Sequence, residues 1–273
     1  MSERLHMTVC GDGPPLVLLH GWAMHGGVFA ALVERLRDRH TLYVIDLPGH
    51  GGSRDDATPL AFEAVCDAIH AQAPAAPWLG WSLGGMFALH AAVRGVEHGH
   101  ARVPALIALC SSPCFGRGPD WRYGVSAEIF RDFAQCLGDD YRATLDRFVA
   151  LEAFGSDHAK DEMRELRAEL FARGEPAARV LVDGLHILET ADQRPLLAQL
   201  RVPSLWIAGR RDRLVDPRAM REAVAMIERA GHAFATFAQI EDAGHAPFLT
   251  HVDEVVAHVS AFLSDVSISN ATR

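Results

Sequence analysis

The sequence predicts an open, doubly wound α/β sheet, mostly parallel, and three observations carry that prediction. Short apolar runs recur along the 273 residues, each ending at a glycine or a polar turn. Amphipathic stretches of helical spacing separate them, and no repeat or low-complexity tract interrupts the alternation. Apolar runs without polar alternation are what strands covered on both faces look like, and a parallel sheet needs helices on both faces.

The strand-like runs fall at 16–20, 42–46, 77–81, 105–110, 204–208 and 234–240. Helical patterns at 29–39, 60–73, 83–95, 217–230 and 253–263 lie between or after them. The rhythm breaks once. From 114 to 195 the periodicity is helical throughout, with no strand pattern until Val202. An all-helical block between two β-containing parts reads as an insertion over the strand ends, where open α/β sheets bind ligands. The expected organisation is therefore a core at 1–113 and 196–264, a helical cap at 114–195, and a mobile tail at 265–273.

Composition narrows the function classes. With 26 Lys+Arg against 35 Asp+Glu the formal charge is −9, so the average surface repels nucleic acid and anionic membranes at long range. No apolar run approaches the ~18 residues of a membrane span, and residues 1–10 lack a basic segment followed by an apolar one. Five cysteines (10, 66, 110, 114 and 136) are odd in number and form no C-x-x-C pair, which reads as free thiols in a reducing, cytoplasmic compartment. The fifteen histidines invite a metal reading. None forms H-E-x-x-H, and His98-x-His100 has no neighbouring Cys or acid, so no metal and no cofactor are expected.

The most informative stretch is Gly80-Trp81-Ser82-Leu83-Gly84, a G-x-S-x-G between a strand pattern and a helical one. In that context the serine sits on a sharp turn that lifts its hydroxyl above the sheet, while the glycines remove side chains where strand and helix nearly touch. A serine hydroxyl needs a base to take its proton, and the base needs an acid to fix its tautomer. In this architecture the acid and then the histidine follow on loops after late strands. Asp212 stands after the run at 204–208, and His245 after the run at 234–240. Asp216 could substitute as the acid; Asp242 is too near His245 in sequence to orient it. The oxyanion hole is expected from the main-chain N–H groups of Leu83, just after the nucleophile, and of Trp22, in the turn His20-Gly21-Trp22 after an early strand. A buried His20 tying down that turn is compatible with the second assignment.

These signatures, with Asp46-Leu47-Pro48-Gly49-His50-Gly51-Gly52-Ser53, resemble the α/β-hydrolase superfamily over nearly the whole chain. The resemblance implies a helical cap inserted after the sixth strand. A narrower likeness rests on Gly80–Gly85, Ser111-Ser112-Pro113-Cys114-Phe115, Arg147-Phe148-Val149-Ala150-Leu151 and Ala243-Gly244-His245-Ala246-Pro247-Phe248. It resembles the pimeloyl-[acyl-carrier protein] methyl ester esterases of biotin synthesis. That implies a monomeric serine carboxylesterase acting on an ester carried by an acyl carrier protein, with substrate contacts at Trp22, Leu83 and the stretch from Phe148 through Val149 to Glu152. Serine at the elbow, rather than aspartate, argues against haloalkane dehalogenase and epoxide hydrolase chemistry.

The cap has a charge pattern of its own. On a helix over 158–172, Ala159, Met163, Leu166 and Leu170 share one face. Lys160, Arg164 and Arg167 border that stripe, and Asp161, Glu162, Glu165 and Glu169 take the far side. With Arg142 and Arg147 on the preceding helix, these cations would form a basic rim for an acidic carrier protein; pairing within the cap is the plainer reading. Trp22, Trp81, Phe115, Phe148 and Phe154 are candidate walls for the acyl chain. Glu152 would either face the pocket, disfavouring a free carboxylate, or face solvent. A short-chain esterase or a C–C bond hydrolase would use the same triad, and a non-catalytic binding protein would lack one of its members.

Overall fold

The computed structural model describes residues 4–97 and 100–271, so His98 of the His98-x-His100 pair lies outside it. Seven strands form the main sheet: β1 (Met7–Cys10), β2 (Pro15–Leu19), β3 (Thr41–Ile45), β4 (Trp78–Trp81), β5 (Leu106–Leu109), β6 (Ser204–Gly209) and β7 (Ala235–Ile240). Their spatial order is β1-β3-β2-β4-β5-β6-β7. All neighbours are parallel except β1 with β3. Every residue of β4, β5 and β6 is buried, as a sheet covered on both faces demands. The edge strand β1 was not anticipated. Its side chains are half or fully exposed, Val9 among them, so it carries no continuous apolar run.

Helices α1 (Ala30–Leu36), α2 (Phe62–His70) and α3 (Leu83–Arg94) follow β2, β3 and β4. Four longer helices, α4 (Ala127–Asp139), α5 (Tyr141–Ala153), α6 (Ala159–Leu170) and α7 (Ala178–Thr190), and the short α8 (Arg194–Leu197), fill the span between β5 and β6. The helical insertion thus follows the fifth strand of this sheet in chain order. It leaves and rejoins the core at one place: Cys114 bridges Asp192, and the Gln193 N–H donates to the Pro113 carbonyl at 2.7 Å.

After β6, α9 (Pro217–Ala230) starts on an Asp216 cap with proline at its first position and stops at left-handed Gly231. A four-residue turn, α10 (Pro247–Thr250), precedes α11 (Val252–Ala271). The expected tail from 265 is therefore corrected: α11 continues through Ala271. Val255, Val259, Phe262, Leu263 and Val266 are all buried, so the apolar stripe that holds the helix down runs past the point where the tail was placed.

The cap is anchored to the core by polar contacts as well as apolar ones. The Trp22 indole N–H donates to the Leu181 carbonyl at 2.9 Å. Arg173, between α6 and α7, pairs at 3.1 Å with Asp46, a buried carboxylate that also accepts the N–H groups of Gly26 and Gly52. The cap underside contributes Leu145, Phe148, Leu166, Leu170, Leu181 and Leu185 to the core that runs beneath it.

Candidate active site

Because the strands are parallel, the loops that follow β2, β4, β6 and β7 emerge at one end of the sheet, under the cap. Ser82 occupies the sharp turn between β4 and α3 with φ 54° and ψ −120°, a conformation that strains any residue with a Cβ. The two glycines of the motif make the turn possible. A Cβ on Gly80 would run into the Gly84 backbone, and one on Gly84 into the carbonyls of Leu19 and His20.

Three side chains separated by up to 163 residues meet there. His245 Nε2 lies 2.9 Å from Ser82 Oγ, and His245 Nδ1 lies 2.8 Å from Asp212 Oδ2. The other oxygen of Asp212 accepts the N–H groups of Leu214 and Val215, each at 2.9 Å. A carboxylate fixed by two amides holds Nδ1 as the protonated ring nitrogen, leaving Nε2 to accept the serine proton. All three residues are buried. The choice among acids, open from sequence, is decided by their partners. Asp216 accepts the Arg218 N–H and pairs with its guanidinium, while Asp242 pairs with Arg211 at 2.8 Å.

The backbone of His245 is held too: its N–H donates to the Glu152 carbonyl at 3.3 Å, and its carbonyl accepts the Trp81 indole N–H at 2.8 Å. Trp81 therefore serves as packing beneath the imidazole, 5.6 Å between ring centroids, rather than as a wall for an acyl chain.

Leu83 opens α3, where an α-helix leaves its N–H groups free to point at an anion. The turn carrying Trp22 adjoins the nucleophile, since a Cβ on Gly21 would lie 3.2 Å from the Ser82 Cβ. His20 braces that turn. Its Nε2 accepts the Leu47 N–H at 2.9 Å, so its Nδ1–H donates to the Gly21 carbonyl at 2.8 Å. Burial, together with neighbouring His50, pushes its pKa down to about 3, so the ring stays neutral and keeps both bonds.

A narrow apolar slot of about 40 Å³ opens from Ser82. Phe115 and Phe148 line it, with Val125, Ile129, Phe130, Phe133, Leu185, Leu188 and Leu214. Trp22 lies against Phe148, ring centroids 4.6 Å apart, without lining the slot. Val149 is fully buried in the core, and Phe154 is 59% exposed on the outside. The residues of α4 and α7 that complete the walls were missed. Their signal was the amphipathic spacing of those helices, which announces an apolar face but not what the face adjoins.

Glu152 faces neither solvent nor the slot. Its side chain is buried, both carboxyl oxygens lack a hydrogen-bond partner among the described residues, and burial beside Asp212 and Glu162 pushes its pKa well up. Burial thus favours its neutral form beside His245. Glu162, expected on the solvent side of α6, is also buried, and accepts the hydroxyls of Ser156 and Thr250 at 2.7 and 2.6 Å.

The rim arginines are exposed, but each has a carboxylate partner within or beside the cap. Arg142 pairs with Glu175, Arg147 with Asp132, Arg164 with Asp161 and Arg167 with Asp146; Lys160 is exposed. Among the described residues no group of three His, Cys, Asp or Glu is arranged to hold a metal ion, and no helix is long and apolar enough to cross a membrane.

Comparison with known proteins agrees with this architecture. The family model for the α/β-hydrolase fold matches residues 14–252. A pimeloyl-[acyl-carrier protein] methyl ester esterase of Xanthomonas campestris pv. campestris is 54% identical over 260 residues, covering 95% of this chain and 99% of its own. One from Stenotrophomonas maltophilia is 49% identical over 263 residues, covering 96% and 98%. Among solved structures, a hydrolase from Oleispira antarctica superposes with a TM-score of 0.82 at 18% identity, covering 96% of this chain and 95% of that one. A bromoperoxidase from Bacillus anthracis reaches 0.80 at 19% identity, covering 95% of each; at such identities the likeness is one of fold. The chain belongs to the α/β-hydrolase family and is a serine-esterase relative of the pimeloyl-[acyl-carrier protein] methyl ester esterases.

Proposed function

We propose that the protein hydrolyses the methyl ester of a pimeloyl chain attached to acyl carrier protein, releasing methanol and the pimeloyl carboxylate for biotin synthesis. The observation that carries the reading is the hydrogen-bonded line Ser82–His245–Asp212 opening into an apolar slot, in a chain 54% identical to such an esterase. Ser82 Oγ attacks the ester carbonyl carbon while its proton passes to His245 Nε2. The oxyanion forms against the N–H groups of Leu83 and Trp22. Collapse expels the methoxy group, which takes the proton from His245 and leaves as methanol. Water, deprotonated by the same nitrogen, then attacks the acyl-enzyme and frees the carboxylate and Ser82. Asp212 keeps its charge throughout and stabilises the imidazolium.

The acyl chain lies between Phe115 and Phe148, and the carrier protein docks on the cap at Arg142, Arg147, Lys160 and Arg164. Exposed ion pairs contribute only about 0–1 kcal/mol each, so the internal partners of these arginines can be exchanged for carboxylates of a carrier. The five cysteines are free thiols, which suits a monomeric enzyme of the reducing cytoplasm. The test is a charge reversal: Arg147→Glu with Arg164→Glu raises KM for the carrier-bound ester and leaves dimethyl pimelate unaffected. Equal effects on both substrates sink the docking assignment, and failure of a serine-reactive phosphonate to label Ser82 sinks the mechanism.

A further inference from the structure

On an acidic chain, a concave surface beside the triad is lined largely by arginines. A groove of about 530 Å³ runs between the loop before α4 and the loop from β6 to α9, and four arginines line it: Arg117, Arg210, Arg213 and Arg218. Two carboxylates share the lining, and both are spent. Asp212 is buried against His245 and two amides, and Asp216 holds Arg218. Arg210 is paired with Glu241 at 2.8 Å.

Arg117 and Arg213 differ from these. Neither makes an ion pair among the described residues: Arg117 donates through Nε to the Gly124 carbonyl at 3.0 Å, and Arg213 stacks over Phe154, 5.9 Å from the ring centroid. Exposed Glu128 is within electrostatic reach of Arg117 but hydrogen-bonds Arg131. Both arginines line the groove without a carboxylate partner among the described residues, and a guanidinium fork matches the paired oxygens of a phosphate.

The groove adjoins the apolar slot, since Val125, Ile129 and Leu214 line both. That adjacency bears on what the groove would meet. In the proposed reaction the scissile ester sits at the end of the acyl chain remote from the carrier. With that ester at Ser82, the chain runs outward through the slot and its thioester end, on the phosphopantetheine arm, emerges past the shared walls.

We propose that this groove is a phosphate subsite, in which Arg117 and Arg213 bind the phosphate of the substrate's prosthetic arm. The inference rests on the carrier-linked reading of the reaction and adds to it a recognition element separate from the cap rim. A subsite for the arm would let the enzyme distinguish a carrier-linked ester from a free one before any contact with the carrier's protein surface.

The test compares two small substrates, the pimeloyl methyl ester thioesters of pantetheine and of 4′-phosphopantetheine, with the ratio of their KM values as readout within each variant. In the wild type the phosphorylated substrate has a KM lower by about fivefold to tenfold, an advantage that shrinks as salt is raised. Arg213→Glu, whose side chain makes no internal ion pair, abolishes or inverts the ratio, and Arg117→Lys reduces it. Equal KM values in the wild type, or an advantage that survives Arg213→Glu, overturn the subsite while leaving the reaction intact. If dimethyl pimelate is hydrolysed and neither thioester is, the carrier-linked reading itself fails and the subsite falls with it.

Discussion

Glu152→Gln isolates one buried carboxyl and gives it a measurable signature. The wild-type side chain is 1% exposed, both oxygens are without hydrogen-bond partners, and burial next to Asp212 and Glu162 holds it protonated well above the ordinary glutamate value of 4.5. Below that value the folded and unfolded chains both carry the proton, and the residue adds no pH dependence. As pH rises the unfolded chain ionises first, so folding loses about 1.4 kcal/mol per pH unit for as long as the native carboxyl keeps its proton. Glutamine has the same shape and no ionisation, so the variant lacks this slope. At about 2–4 °C per kcal/mol for a chain of this size, the Tm advantage of Glu152→Gln grows by about 3–6 °C per pH unit from pH 5 upward. Thermal melts of both proteins across pH 5–8 check it. A difference that stays flat with pH would show that Glu152 ionises in the native state, and would refute the description of it as a neutral acid.

Three further outcomes follow from the site. Asp212→Asn keeps the hydrogen bonds from Leu214 and Val215 but presents a donor to His245 Nδ1; it lowers kcat by about 10⁴ with little change in KM, measured on dimethyl pimelate. Gly84→Ala drives a methyl group into the carbonyls of Leu19 and His20 and costs about 1–3 kcal/mol or more, read as a lowered urea midpoint. His20→Leu removes both bonds that hold the Gly21–Trp22 turn, so kcat falls by about one to two orders of magnitude as one oxyanion donor is misplaced, while phosphonate labelling of Ser82 persists.

The parts of this molecule legible in its sequence are those where one physical demand acts locally. Strands β4, β5 and β6 are buried on both faces, so every residue had to be apolar or small. The Ser82 elbow could be read because two glycines are sterically compelled at fixed offsets. What escaped reading depends on partners far along the chain. Edge strand β1 meets only one neighbour, so half its surface is free to be polar. Glu162 is buried because Ser156 and, 88 residues away, Thr250 offer hydroxyls to it. The sign-sorted charges of α6 read as a basic rim, but periodicity along one helix could not show that Asp132, Asp146 and Glu175 on neighbouring segments pair with Arg147, Arg167 and Arg142. The slot walls on α4 and α7 were visible only as apolar faces, since periodicity reports that a face is covered and not by what.

The account's central claim is tested most directly by incubating the enzyme with pimeloyl-[acyl-carrier protein] methyl ester and following methanol release together with the mass of the carrier-bound product. The account predicts one methanol per pimeloyl carboxylate, a kcat/KM well above that for dimethyl pimelate, and loss of both products in a folded Ser82→Ala variant. Hydrolysis of dimethyl pimelate with the carrier-bound ester left intact, or turnover that survives Ser82→Ala, would contradict it.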